Sequence, residues 1–88
     1  MQNIEYKGKT LVPSKSAMRE MSELGLTISD CKHILENGQD APRRRAWDCE
    51  EKWFGAGNKI YNVVIISSYS CFNNEEIYLI KHVGKFTK

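Results

Sequence analysis

The chain has no apolar run long enough to cross a membrane. The longest, Val63–Ile66, is four residues, and a spanning helix needs roughly 20. The N-terminus carries no leader pattern, so no signal peptide and no membrane association are expected. Cysteine is sparse and odd in number: Cys31, Cys49 and Cys71. Such a set, without a secretory leader, reads as reduced thiols in a cytoplasmic protein. None of the three has the close paired spacing of zinc ligands. Cys31 and His33 are two apart on a predicted helix and point in different directions. The expectation is no metal and no cofactor.

Three kinds of site are also missing. Gly55-Ala56-Gly57-Asn58 joins two strand patterns rather than a strand to a helix, so no helix N-terminus stands behind it to cradle a phosphate. Ser67, Ser68 and Ser70 have no adjacent histidine in a triad arrangement. Glu50-Glu51 and Glu75-Glu76 are neighbours in strand patterns, where adjacent side chains take opposite faces, so neither pair makes an acid–base dyad.

What is present is an ordinary globular composition, 41% hydrophobic and 27% charged, too rich in aromatic and β-branched residues for a disordered chain. Eighty-eight residues make a single domain, 1–88, with one small core. The net charge of +2 says little, but its distribution is clustered: Arg43, Arg44 and Arg45 in one group, Lys81, His82, Lys85 and Lys88 in another.

Residues 1–12 read as a short β-ribbon that turns at Lys7-Gly8-Lys9, with Tyr6 and Leu11 as anchors. Residues 14–38 read as two helices joined by a short turn. Ser14 is the first N-cap, Ala17, Met18, Met21 and Leu24 the apolar stripe, and Gly25 the left-handed terminator. Thr27 and Asp30 open the second helix as a capping box; Ile28, Cys31, Ile34 and Leu35 form its stripe, and Asn37-Gly38 ends it. From 43 to 86 the period becomes two. Arg45, Trp47, Cys49, Glu51 and Trp53 alternate with Arg44, Ala46, Asp48, Glu50 and Lys52, and the tryptophan-bearing set is expected inward. Two further strands follow across short turns. The predicted fold is α+β: a two-helix hairpin packed on one face of an antiparallel three- to four-stranded meander, with the other face left to carry function.

This layout, with "SAMREMSELGLTISDCKHILENGQ" as its helical part, resembles the small RelE/BrnT-like proteins, many of which are ribonuclease toxins of toxin–antitoxin pairs. The likeness is to an uncharacterised branch whose members open with His-Ala-x-x-Arg-Met-x-x-Arg-Gly-Ile-Ser. Ala17, Met21, Gly25, Leu26, Thr27 and Gly38 fit that pattern. Ser16, Glu20 and Leu24 stand where the pattern has its histidine and two arginines, so no catalytic residue carries over. The resemblance implies a RelE-like fold, an RNA-directed activity and an antitoxin-like protein partner.

The candidate site residues come from the strands. Arg43 and Arg45 share a face and suit bidentate phosphate contacts, while Arg44 points away. Lys85 belongs to the second basic cluster. Tyr78 and His82, four apart in one strand pattern, are expected on one face about 13 Å apart, with His82 as general acid or base. Tyr61 and Tyr78 are the aromatics expected on the open face. Two functions remain open: a metal-independent RNA-cleaving toxin, or a non-catalytic module that binds protein or nucleic acid. A homodimer through an edge strand is a third reading.

Overall fold

The computed structural model describes residues 4–42, 48–72 and 74–87. Glu5–Tyr6 (β1) and Lys9–Pro13 (β2) form the predicted ribbon. Lys7 and Gly8 both have positive φ, the primed two-residue turn that matches the twist of paired strands. Lys15–Leu24 (α1) starts where the Ser14 hydroxyl accepts the Ala17 N–H, and ends at Gly25 with φ 71°. Ile28–Asn37 (α2) opens with the full Thr27–Asp30 capping box. Gln39–Asp40 (β3), Cys49–Ala56 (β4), Lys59–Ser70 (β5) and Glu75–Thr87 (β6) complete the described chain.

The α+β class holds, but the expected architecture does not. All six strands form one sheet in the order β1-β2-β6-β5-β4-β3. The N-terminal ribbon is part of that sheet, because β2 runs parallel to β6, with Leu11 beside Tyr78 and Val12 beside Leu79. Two helices between β2 and the later strands supply the long connection that a parallel pair requires. Periodicity reports faces, not partners, so the sequence pattern cannot reveal this non-local pairing.

The helices do not pack as a hairpin on that sheet. α1 lies chiefly on β6. α2 touches β4 and β5 and also β1 and β2, so the sheet curls around it as a half-barrel. The curl draws the outer strands together. The Tyr6 hydroxyl on β1 donates to Glu50 Oε2 on β4 at 3.1 Å and lies 3.4 Å from the Leu35 carbonyl oxygen on α2. The core fills the concavity: Tyr6, Leu11, Val63, Ile65, Ile80 and Val83 from the strands meet Ala17, Met21, Cys31, Ile34 and Leu35 from the helices. Met18, expected in the α1 stripe, is instead half exposed. Cys31 is fully buried, and burial pushes its thiol pKa up to about 11.

Two local features set the faces. First, β4 is turned over relative to the expectation. Glu50 and Lys52 pair with the core residues Ile65 and Val63, while Glu51 and Trp53 pair with Val64 and Asn62. Trp53 therefore lies on the outer face, and Phe54 supplies the inward aromatic of this strand. The inward charges are accommodated at the rim of the curl, Glu50 by Tyr6 and Lys7 and Lys52 by Asp40. Second, β6 carries a β-bulge. Ile65 faces Ile80, Val64 faces His82, and Lys81 is the extra residue. A bulge resets the alternation by one, so Ile80 and Val83, three apart, both point into the core.

Candidate functional site

The sequence-derived candidates divide between two faces and one undescribed segment. Arg43 and Arg45, with Arg44 and Trp47, lie outside the described residues. Tyr78 and His82 do not share a face. Before the bulge Tyr78 keeps the parity of Ile80 and points inward, packing on the core with its ring 5.8 Å from that of Tyr6. After the bulge His82 takes the outer face opposite Val64. Lys85 pairs with Tyr61, which packs against the core, so both take the inner face; the Lys85 Nζ is 6.0 Å from the Tyr61 ring centre. Tyr61 and Tyr78 are thus inner-face residues, against the expectation.

Tyr78 belongs to a cleft at the seam of the half-barrel. Asp48, Cys49, Glu50, Ser67 and Tyr78 line a space of about 460 Å³. Lys9 bridges two of these residues, with Nζ 4.9 Å from the Tyr78 ring centre and donating to Ser67 Oγ at 3.1 Å. At the same seam Glu50 accepts from Tyr6 and Lys7.

These contacts shift titrations. Burial and the Glu50 carboxylate raise the Tyr6 hydroxyl above its ordinary 10.0, and the hydrogen bond to Glu50 raises Lys7 above 10.5. Both groups bind their proton more tightly folded than unfolded. Their stabilisation is therefore complete below pH 10 and is lost as pH rises through the raised values. We expect urea midpoints to fall above pH 10, with a shallower fall in Tyr6→Phe. An identical alkaline limb in that variant would contradict the assignment.

The outer face holds the arrangement with chemical capacity. β2 pairs with β6 only as far as Ile80, because the chain then turns into α1. The next stretch of β6 has lost a strand neighbour, and Glu20 of α1 takes its place. Glu20 Oε1 accepts the Val83 backbone N–H at 3.0 Å, and Oε2 lies 2.8 Å from His82 Nδ1. A carboxylate only accepts, so the proton on Nδ1 points at Glu20 and the neutral ring presents an unprotonated Nε2. Nε2 has no hydrogen-bond partner among the described residues. His82 keeps 44% of its side chain exposed, so that nitrogen is accessible.

A buried polar group backs this pair. Glu51, 6% exposed, accepts from Trp53 Nε1 at 2.8 Å and from Asn62 Nδ2 at 3.1 Å. Asn62 pairs with Trp53 on one side and Gly84 on the other, so all share the face of His82. Phe86, two beyond Gly84, stacks edge-on against Trp53 at 4.8 Å.

The arrangement is a histidine oriented by a carboxylate, the pattern that makes imidazole a competent proton acceptor. Among the described residues no group of three or more His, Cys, Asp or Glu side chains is placed to hold a metal ion, and no helix is long and apolar enough to cross a membrane. Reading the sequence alone missed Glu20. Its position on α1 carries no signal of a partner 62 residues away; only the end of β2 pairing creates the vacancy that Glu20 fills. Comparison with protein-family models, with curated proteins and with solved structures finds no match.

Proposed function

We propose that this chain is an RNA-interacting domain and that His82 is its proton-transfer group in a metal-independent cleavage. The observation that carries the reading is the Glu20–His82 pair, which holds the ring with Nε2 accessible on the outer face. Nε2 takes the proton of an RNA 2′-hydroxyl. The 2′-oxygen forms a bond to the adjacent phosphorus as the bond to the 5′-oxygen breaks, and the imidazolium returns a proton to that leaving oxygen. The products are a 2′,3′-cyclic phosphate and a 5′-hydroxyl. Arg43 and Arg45 are the proposed phosphate partners. Tyr78, on the inner face, takes no part in this step. The helical-segment resemblance to the RelE/BrnT-like superfamily supports the choice of RNA as substrate class.

The test is incubation of purified protein with single-stranded RNA. Wild type should yield cyclic-phosphate ends, and His82→Ala should lower the rate by about 10²–10⁴-fold, the contribution of one acid–base group. No cleavage by wild type would overturn the catalytic part.

One observation favours a second reading. Neither Tyr78 nor Lys85 shares the outer face with His82, so neither of these two candidates can act beside it. In that reading the outer face binds RNA or a protein partner, antitoxin-like or a second copy, without chemistry. RNA binding that weakens with salt, with no cleavage, would establish it.

A further inference from the structure

A pocket of about 370 Å³ opens at the end of β4, lined by Asn37, Gln39, Trp53, Phe54, Gly55 and Ile60. The strand register places it. β3 begins at Gln39, which pairs with Trp53, so past Trp53 the β4 strand has no further β3 residue beside it. Gln39 and Trp53 share the outer face, and Gly55 with its partner Ile60 keeps the same parity. Gly55 contributes no side chain of its own to that face. Asn37, the last residue of α2, and Phe54, whose ring meets His33 of α2, bound the pocket on the helix side.

The lining joins a fixed aromatic ring to amide groups. Trp53 is half-buried; its Nε1 donates to Glu51 at 2.8 Å and its ring meets Phe86 edge-on at 4.8 Å, so the indole is positioned before any ligand arrives. Gln39 is exposed, and its side-chain amide, with both a donor and an acceptor, has no partner among the described residues. Asn37 commits Nδ2 to His33, 3.2 Å from Nδ1 and 3.0 Å from the carbonyl oxygen, which leaves Oδ1 as an acceptor. None of the described lining residues is charged, so the pocket offers nothing strong to a phosphate. A nucleobase uses both parts of the lining: its face stacks on an aromatic ring and its edge bonds to an amide. An apolar peptide side chain would use only the ring.

Resting on the RNA reading above, we infer that this pocket holds a nucleobase of the single-stranded RNA whose 2′-hydroxyl meets His82. The base stacks on Trp53 and its edge bonds to the Gln39 amide. Trp53 lies across Asn62 from Gly84, and His82 is two residues further along β6. Strand spacing and rise then put Trp53 and His82 about 12 Å apart on one face. A base seated in the pocket therefore anchors the chain beside the proton-transfer group and sets which phosphodiester is presented to it.

The experiment compares two 2′-O-methyl oligomers, about ten nucleotides long to cover one site, which cannot undergo attack by the 2′-oxygen. One carries adenine throughout and the other is a base-free backbone of the same length. The adenine oligomer should bind at least about tenfold tighter, the worth of one stacked base. In wild type the Trp53 indole N–H and the Gln39 side-chain amide resonances should shift with the adenine oligomer and stay in place with the base-free one. Gln39→Ala, on an exposed side chain, should weaken adenine binding by about two- to tenfold, the net worth of a hydrogen bond, and leave base-free binding unchanged. Equal affinity for the two oligomers, unmoved Trp53 and Gln39 resonances in the adenine complex, or full adenine affinity in Gln39→Ala would each overturn the inference and leave RNA binding intact. Binding of neither oligomer would overturn the RNA reading with it.

Discussion

Glu51→Leu should destabilise the protein by about 3 kcal/mol, because it removes an acceptor from beneath two donors in a sheet of marginal size. Glu51 is 6% exposed and holds both Trp53 Nε1–H and Asn62 Nδ2–H. Each donor left without a partner costs about 1–3 kcal/mol when buried. For a domain of this length that corresponds to a fall in Tm of roughly 15 °C. Glu51→Gln keeps one acceptor oxygen and the side-chain volume, and should recover part of the loss. The exposed contacts provide the control. Removing Lys7, whose side chain is more than half exposed, should cost under about 1 kcal/mol although it also bonds a glutamate. Chemical denaturation with a common m-value checks the series. A Glu51→Leu protein within about 0.5 kcal/mol of wild type, the range of an ordinary surface change, would remove the outer-face network from the account.

The second large effect tests the curl of the sheet. Leu35 lies on α2, 2% exposed, and its carbonyl oxygen is near the Tyr6 hydroxyl of β1. Because α2 touches β1 and β2 as well as β4 and β5, Leu35→Ala should open a cavity between these two parts of the sheet. The expected loss is about 3 kcal/mol, within the range for leucine truncation in a packed core. Met18→Ala, on a half-exposed side chain, should stay within about 0.5 kcal/mol. Periodicity alone places Met18 and Leu35 in equivalent apolar stripes, so the pair separates the observed packing from a simple hairpin. Hydrogen exchange should also quicken in β1 and β4 of Leu35→Ala, the strands that α2 holds together.

What the sequence makes legible is what short range controls. Ser14, Gly25, Thr27 with Asp30, and the Lys7-Gly8 turn each act through a neighbour a few residues away, and each appears as read. The errors arise where a distant partner decides. β2 joins the sheet through β6. Lys81 bulges out of the β5–β6 ladder and sends Tyr78 and His82 to opposite faces. β4 turns Glu51 and Trp53 outward because Phe54 packs inward and Glu50 finds Tyr6 across the seam. Counting apolar residues on each side of β4 could not anticipate a glutamate buried by a tryptophan and an asparagine. His82 was legible as a titratable group in a basic cluster. Its partner was not, since Glu20 belongs to a helix and is recruited by a strand edge that the sequence does not announce.

The proposed chemistry requires that Glu20 fix His82 with its proton on Nδ1 and a bare Nε2 toward solvent. Nitrogen-15 NMR of the imidazole, at a pH where the ring is neutral, reads this directly. The wild-type His82 should show a protonated Nδ1 and an unprotonated Nε2, and Glu20→Ala should return the ring to a mixture of tautomers. A wild-type ring protonated on Nε2, or one whose tautomer ratio is unchanged in Glu20→Ala, would contradict the account.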